Sequence, residues 1–242
     1  MKEQAATVSP PSGRQGVAWR VLVQALETLE SRTVLDCGGG SGSFAVPLAA
    51  FGAKLTVVDI SADALAILTR RAAEAGVADR VTPVQGDVEA LADAVGEQLF
   101  DLVLAHGILG SVDDVAATFA AIAATVRPGG LLSLLVTNPA AGVLSRALAG
   151  DLPAALAELR AIDAGLTEPG PEAVRALCAG HGLLIEQVHG VGIFSELVPG
   201  RALDTPGARD ALAELESSSA TRSPFAEIAG RVHLLARRSS LS

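Results

Sequence analysis

The chain has 242 residues, half of them hydrophobic, with a formal net charge of −9 and a sequence pI near 4.9. That length suits one large domain with a substantial core, and its apolar residues, mainly Ala, Leu and Val, never run for the roughly 18 to 20 positions that cross a bilayer. The acidic balance disfavours a polyanionic partner, because phosphate neutralisation needs clustered Lys and Arg, and the most obvious basic group is Arg231, Arg237 and Arg238.

Taken from the start, residues 1–14 are polar and include Pro10 and Pro11, without the apolar middle of a secretory signal, so the cytoplasm is the expected compartment. From Thr33 onward, short β-branched runs alternate with Ala-rich helical stretches, the pattern of βα units around a largely parallel sheet. Strands are predicted at 33–37, 54–59, 81–85, 100–105, 131–137, 184–188 and 232–236, with at least five helices between them. Ser61 caps an Ala/Leu-periodic run that stops near Gly76, and Asp113 or Asp114 caps a run ending before Pro128-Gly129-Gly130. The expected fold is an α/β doubly wound, mostly parallel seven-stranded sheet in one domain over 1–242, with its core at 33–138. Residues 139–171 and 199–229 interrupt the alternation as helical, substrate-facing additions, the first a lid. Cys37 and Cys178 are too far apart to form a redox or metal pair and are expected to be reduced.

The most informative stretch is Val34 to Gly42, where an apolar strand ends in Asp36-Cys37 and opens into Gly38-Gly39-Gly40-Ser41-Gly42. Glycine lets the backbone turn sharply and approach a ligand closely. Asp59, followed by Ile60, ends the second strand about 20 residues on, where a carboxylate accepts hydrogen bonds from both ribose hydroxyls of an adenosine. Asp87, followed by Val88, comes after the third strand, where it either takes the adenine amino group or caps a helix. The glycines at 38, 40 and 42 read G-x-G-x-G, whereas a dinucleotide fingerprint needs its third glycine at position 43, which is Ser43. Asp36 before the turn favours a cationic amino group and would repel a pyrophosphate.

With these residues in place the chain resembles the class I S-adenosylmethionine-dependent methyltransferases, in the motifs VLDCGGGSG, VVDIS, QGDV, FDLVLAHGIL and RPGGLLSL between Thr33 and Asn138. The resemblance implies S-adenosylmethionine as cofactor, with S-adenosylhomocysteine as product. Gly38, Gly39 and Gly40 would lie around the methionine part, Asp59 on the ribose, and His106 against the cofactor and acceptor. A resemblance over nearly the whole chain is to the bacterial methyltransferase family that esterifies 5-carboxymethoxyuridine in tRNA. It is carried by Arg14-Gln15 with Trp19, His106, NPAAGVLSRALAGDL from Asn138, GVGIF at 190–194, ALAELE and GRVHLLARR. It implies that Arg14 reaches the cofactor carboxylate. The chain departs from that family at 160–171, which carries little charge, and it contains no Tyr for base stacking.

Methyl transfer from a sulfonium asks the protein chiefly to hold the acceptor at near-attack distance. A carboxylate acceptor needs no base, whereas a hydroxyl or amine benefits from one. His106 is the candidate base, or else a hydrogen-bonded residue that only lines the pocket. His181 reads as a helix C-cap, and His189 and His233 show no ligand spacing for a metal. Arg146, Arg201 and Arg222 lie in the two additions and could pair with an anionic acceptor. The expected partner is a small-molecule acceptor, with tRNA as the alternative and a non-catalytic S-adenosylmethionine-binding role as a third reading. Oligomeric state is left open.

Overall fold

The computed structural model of the chain describes residues 16–240. Seven strands form one sheet: β1 (Thr33–Cys37), β2 (Lys54–Asp59), β3 (Val81–Gln85), β4 (Phe100–His106), β5 (Val126–Thr137), β6 (Leu183–Val191) and β7 (Arg231–Arg238). Their order is β3-β2-β1-β4-β5-β7-β6, with β7 antiparallel to both its neighbours and β1 to β5 parallel. All seven predicted strands are present. The largest boundary difference is in β5, which begins at Val126 opposite Phe100 and reaches the predicted Leu131 through an irregularity at 127–130, where Gly129 has a φ of +76°.

The helices are α1 (Gly16–Glu27), α2 (Ala45–Ala50), α3 (Ala62–Glu74), α4 (Leu91–Val95), α5 (Val115–Thr125), α6 (Pro139–Leu148), α7 (Leu152–Asp163), α8 (Pro171–Gly180) and α9 (Ala208–Ser219). One sheet face presents Val34, Leu55, Val57, Leu102, Leu104, Leu131 and Leu235 to the apolar stripes of α1, α2 and α3. The other presents Leu35, Val58, Val103, Leu132, Leu134 and Leu234 to α4, α5 and α8. The alternation of neighbouring residues between these two sets is the period of two expected of strands covered on both sides. Helix α1 was not anticipated. Its buried positions Val17, Ala18, Val21, Leu22, Ala25 and Leu26 follow the helical repeat and close the first face.

Caps fall where the sequence placed them: Ser61 Oγ accepts from Ala64 N at 3.2 Å, and the Asp114 carboxylate accepts from Ala117 N at 2.9 Å. The predicted addition at 139–171 holds α6 and α7 and ends where α8 begins. Helices α6 and α7 form an antiparallel hairpin clamped by an Arg146–Glu158 ion pair, while α8 packs on β6 through Val174 and Cys178 as part of the sheet cover. At the other end of the strands from the glycine turn, Asp101 accepts from Thr33 N at 2.9 Å and Thr33 Oγ1 at 2.6 Å and pairs with Arg127, joining the starts of β1, β4 and β5.

Candidate functional site

The strand order reverses between β1 and β4, so the chain leaving β1 turns to one face of the sheet and the chain leaving β4 to the other. A crevice opens at such a switch point, beyond the carboxyl ends of the strands. Here the Gly38 turn and Ile108 form its two walls, and they are so close that a Cβ on Gly38 would lie 2.8 Å from Ile108 Cδ1. Gly38 and Gly40 have φ of +71° and +54°, which L side chains rarely adopt. Gly39 has a different reason for being glycine: a Cβ there would lie 2.5 Å from Asp36 Oδ2 and 2.7 Å from Val57 Cγ1.

Two cavities meet at Gly38. The outer cleft, about 480 Å³, is lined by Gly38, Asp59, Ile60, Gly86, Asp87 and Val88 on one side and by the 107–113 loop on the other. The inner chamber, about 160 Å³, is bounded by Asp36, Gly39, Phe44, His106, Leu135 and Arg231. The two linings therefore include His106 and every predicted cofactor-site residue except Gly40, which lies one step back, and Arg14, which lies outside the described residues.

Asp59 does two things. Its Oδ2 accepts from Gly40 N at 2.8 Å and its Oδ1 from Ser61 N at 2.9 Å, so it fastens the glycine turn to the end of β2. Each carboxylate oxygen keeps a second lone-pair direction for a ligand hydroxyl. Asp87 likewise caps the short turn of helix at 88–90, accepting from Glu89 N at 3.0 Å, while its exposed carboxylate lines the cleft. Capping and lining occur together.

Asp36 is 4 % exposed, and its carboxylate makes no hydrogen bond to another of the described residues. Burial, reinforced by the nearby Asp59 charge, pushes its carboxyl up to about 7. A buried acid whose carboxylate has no partner among the described residues, beside a turn with no room for a Cβ on Gly38 or Gly39, suits a ligand that brings a positive charge on a slender chain, and it repels phosphate. Those are the features of the methionine ammonium and sulfonium of S-adenosylmethionine, and the adenosine end matches the Asp59 and Asp87 cleft. The residues present fit that cofactor.

His106 ends β4, half-buried, with its ring edge against Phe44. Its Nε2 bonds the Ser133 hydroxyl at 2.8 Å, and burial lowers its pKa to about 3, so the imidazole is neutral. Among the three arginines singled out from sequence, Arg146 is held by Glu158, and neither it nor Arg201 nor Arg222 lines either cavity. The arginine at the chamber is Arg231, which opens β7 opposite Thr137 and Val191. It is fixed there by Asn138, whose side-chain amide donates to Glu227 O and Ala229 O at 2.8 and 2.9 Å while its backbone N–H donates to Gly230 O. Sequence reading had noted Arg231 only as part of a basic cluster. Its signal was the register of the last strand, which brings residue 231 across from the end of β5. His181 is the C-cap of α8, its Nδ1 within 2.9 Å of Leu177 O. Among the described residues no group of three or more His, Cys, Asp or Glu side chains is arranged to hold a metal ion.

Residues 34–130, which carry the glycine turn, both cleft acids and β4, match a family model described as a methyltransferase domain. The chain carries a methyltransferase domain. By that domain it is an S-adenosylmethionine-dependent methyltransferase. The tRNA 5-carboxymethoxyuridine methyltransferase of Escherichia coli is 26 % identical over 231 residues, covering 93 % of this methyltransferase and 88 % of that protein. The ubiquinone biosynthesis O-methyltransferase of Methylocella silvestris is 36 % identical over 110 residues, covering 46 % of this chain and 41 % of that one. The crystal structure of magnesium protoporphyrin IX methyltransferase from Synechocystis PCC 6803 with bound S-adenosylmethionine has the same fold, with a TM-score of 0.58, 17 % identity, and coverage of 93 % and 79 % of the two chains. No helix among the described residues is long and apolar enough to cross a membrane.

Proposed function

We propose that this methyltransferase esterifies a carboxylate on a small-molecule acceptor. The observation that carries the reading is the content of the inner chamber, where Arg231 supplies a cation and His106 stays neutral. When bound, S-adenosylmethionine supplies an electrophilic methyl group on a positively charged sulfur. Asp59 and Asp87 hold its adenosine end, Gly38 to Gly40 give room to its methionine chain, and Asp36 faces its positive charge. Arg231 receives the acceptor as an anion, through hydrogen bonds that a guanidinium makes in pairs. A carboxylate oxygen reacts without losing a proton, so the site needs no base. An imidazole held near pKa 3 is a poor base at neutral pH but a good neutral hydrogen-bonding wall. Rate then comes from holding the acceptor in line at near-attack distance.

The hairpin beside the site favours a small acceptor over a polyanion. Leu148, Leu152, Leu156 and Leu159 are exposed along α6 and α7, and a net charge of −9 opposes phosphate binding. A second reading keeps the same chemistry and places the carboxylate on a tRNA nucleoside. It is supported by the E. coli relative, whose likeness runs through the hairpin and the last strand as well as the cofactor core.

Incubation with methyl-tritiated S-adenosylmethionine and either a fractionated pool of small organic acids or bulk tRNA tests both. Label is expected in the small anionic fraction. Label confined to tRNA replaces the first reading with the second, and label in neutral sugars or amines overturns both.

A further inference from the structure

Four neighbouring strands contribute one polar side chain each to a line that crosses the sheet from the inner chamber: His106 on β4, Ser133 on β5, His233 on β7 and His189 on β6. Ser133 Oγ lies 2.8 Å from His106 Nε2 and 2.8 Å from His233 Nε2. The His233 and His189 rings, directly paired in register, have centroids 5.7 Å apart. Ser133 and His233 are wholly buried, and the Nδ1 atoms of all three histidines are closed to water and without a partner. The residues that this sheet face packs against α1, α2 and α3 are Leu and Val, so a serine and three histidines in line behind the chamber need a reason beyond packing.

We propose that Ser133 and His233 are positioning residues that hold His106 as the tautomer with its proton on Nδ1, making His106 a hydrogen-bond donor to the acceptor rather than a base. A serine hydroxyl has one proton, so between two imidazole nitrogens it donates to one and accepts from the other. One ring must then carry its proton on Nε2 and the other on Nδ1. The direction follows from where an unpaired donor costs least, since a buried N–H without an acceptor is rarer and more costly than an unused lone pair. His233 is 0 % exposed, so its Nδ1 is the worse place for an unpaired proton. The Nδ1 of His106 is closed as well, but His106 lines the chamber and His233 does not, so the His106 ring is the one that lies beside an entering ligand. His233 therefore donates from Nε2 to Ser133, Ser133 donates to His106 Nε2, and the His106 proton is left on Nδ1. All three rings are neutral by the same burial, with Arg20 further opposing charge on His189. A free histidine side chain in water prefers its proton on Nε2, so the buried serine imposes the less favoured form.

The test is nitrogen-15 NMR of the full chain labelled at histidine. There are four histidines, and their signals can be assigned by single His→Gln variants, so that the site of each proton is read directly. The expected spectrum has His106 protonated on Nδ1 and His233 on Nε2. His106 protonated on Nε2, or both rings in one form, overturns the proposal. Folded Ser133→Ala should return His106 to a mixture, and Ser133→Thr, which keeps the hydroxyl, should restore the single form. An unchanged His106 in Ser133→Ala also overturns it. Because the reading is made on the ligand-free protein, its failure leaves the carboxylate assignment standing, and failure of that assignment leaves the tautomer order intact.

Discussion

Asp59 Oδ2 accepts a hydrogen bond from the Gly40 amide at 2.8 Å, so the acid that ends β2 also fixes the glycine turn after β1. Ligand recognition and loop geometry thus share one carboxylate. Asp59→Ala should weaken S-adenosylmethionine binding by about 1–3 kcal/mol, through lost charge-assisted bonds and a loosened turn. Asp59→Asn should do nearly as badly, because an amide has one acceptor where Gly40 and Ser61 present two donors. Calorimetric titration of the two folded variants checks this, and wild-type affinity in either would refute the double role.

Asp36 predicts a pH dependence. Its folded-state pKa, about 7, lies above its unfolded value of 3.8, so between those values the native state binds a proton that the unfolded state has lost. Its contribution to stability is therefore full at pH below about 4, declines as pH rises towards 7 and is flat above. Binding of a cation favours the ionised acid, so S-adenosylmethionine should bind about tenfold more weakly at pH 6 than at pH 8, at ~1.4 kcal/mol per unit of pKa. Asp36→Asn should flatten both trends. Titrations at the two pH values, on wild type and variant, measure the difference.

Arg231 should act on the acceptor alone. Arg231→Ala is expected to raise the acceptor KM by about 10- to 100-fold, as befits a lost charged pair, while affinity for S-adenosylmethionine stays within about twofold. Arg231→Lys should recover part of the loss, since it keeps the charge but not the paired donors. Steady-state kinetics with a carboxylate acceptor, alongside cofactor titration, separates the two effects.

The cofactor half of the site was legible in the sequence because its signals are local. A strand, a glycine turn and an acid at the next strand end occupy fewer than thirty consecutive residues, and backbone geometry makes those residue types necessary. The acceptor half was not. Arg231 meets Asp36 and His106 only through the register of β7 against β5, and the buried chain depends on Ser133 and His233 lying a hundred residues apart. A trace was present in the lone hydroxyl of the run Leu131 to Val136, where every other residue is Leu or Val. Helix α1 also left a helical repeat, but it precedes the first strand and so falls outside the βα alternation that guided the reading.

Asp101 tests the separation of stability from function. It joins Thr33 and Arg127 at the starts of β1, β4 and β5, the strand ends remote from both cavities. Asp101→Ala leaves those groups unpaired and should destabilise the fold by about 2–4 kcal/mol, without changing cofactor affinity at temperatures where it stays folded. Denaturant unfolding, followed by titration of the native variant, provides both readings.

The bond that is made can be read from the alkali lability of the transferred methyl group. A methyl ester releases volatile labelled methanol in mild base, so most of the label transferred by the wild-type enzyme should become volatile. Label that survives the same treatment as an ether or a methylamine would contradict the account.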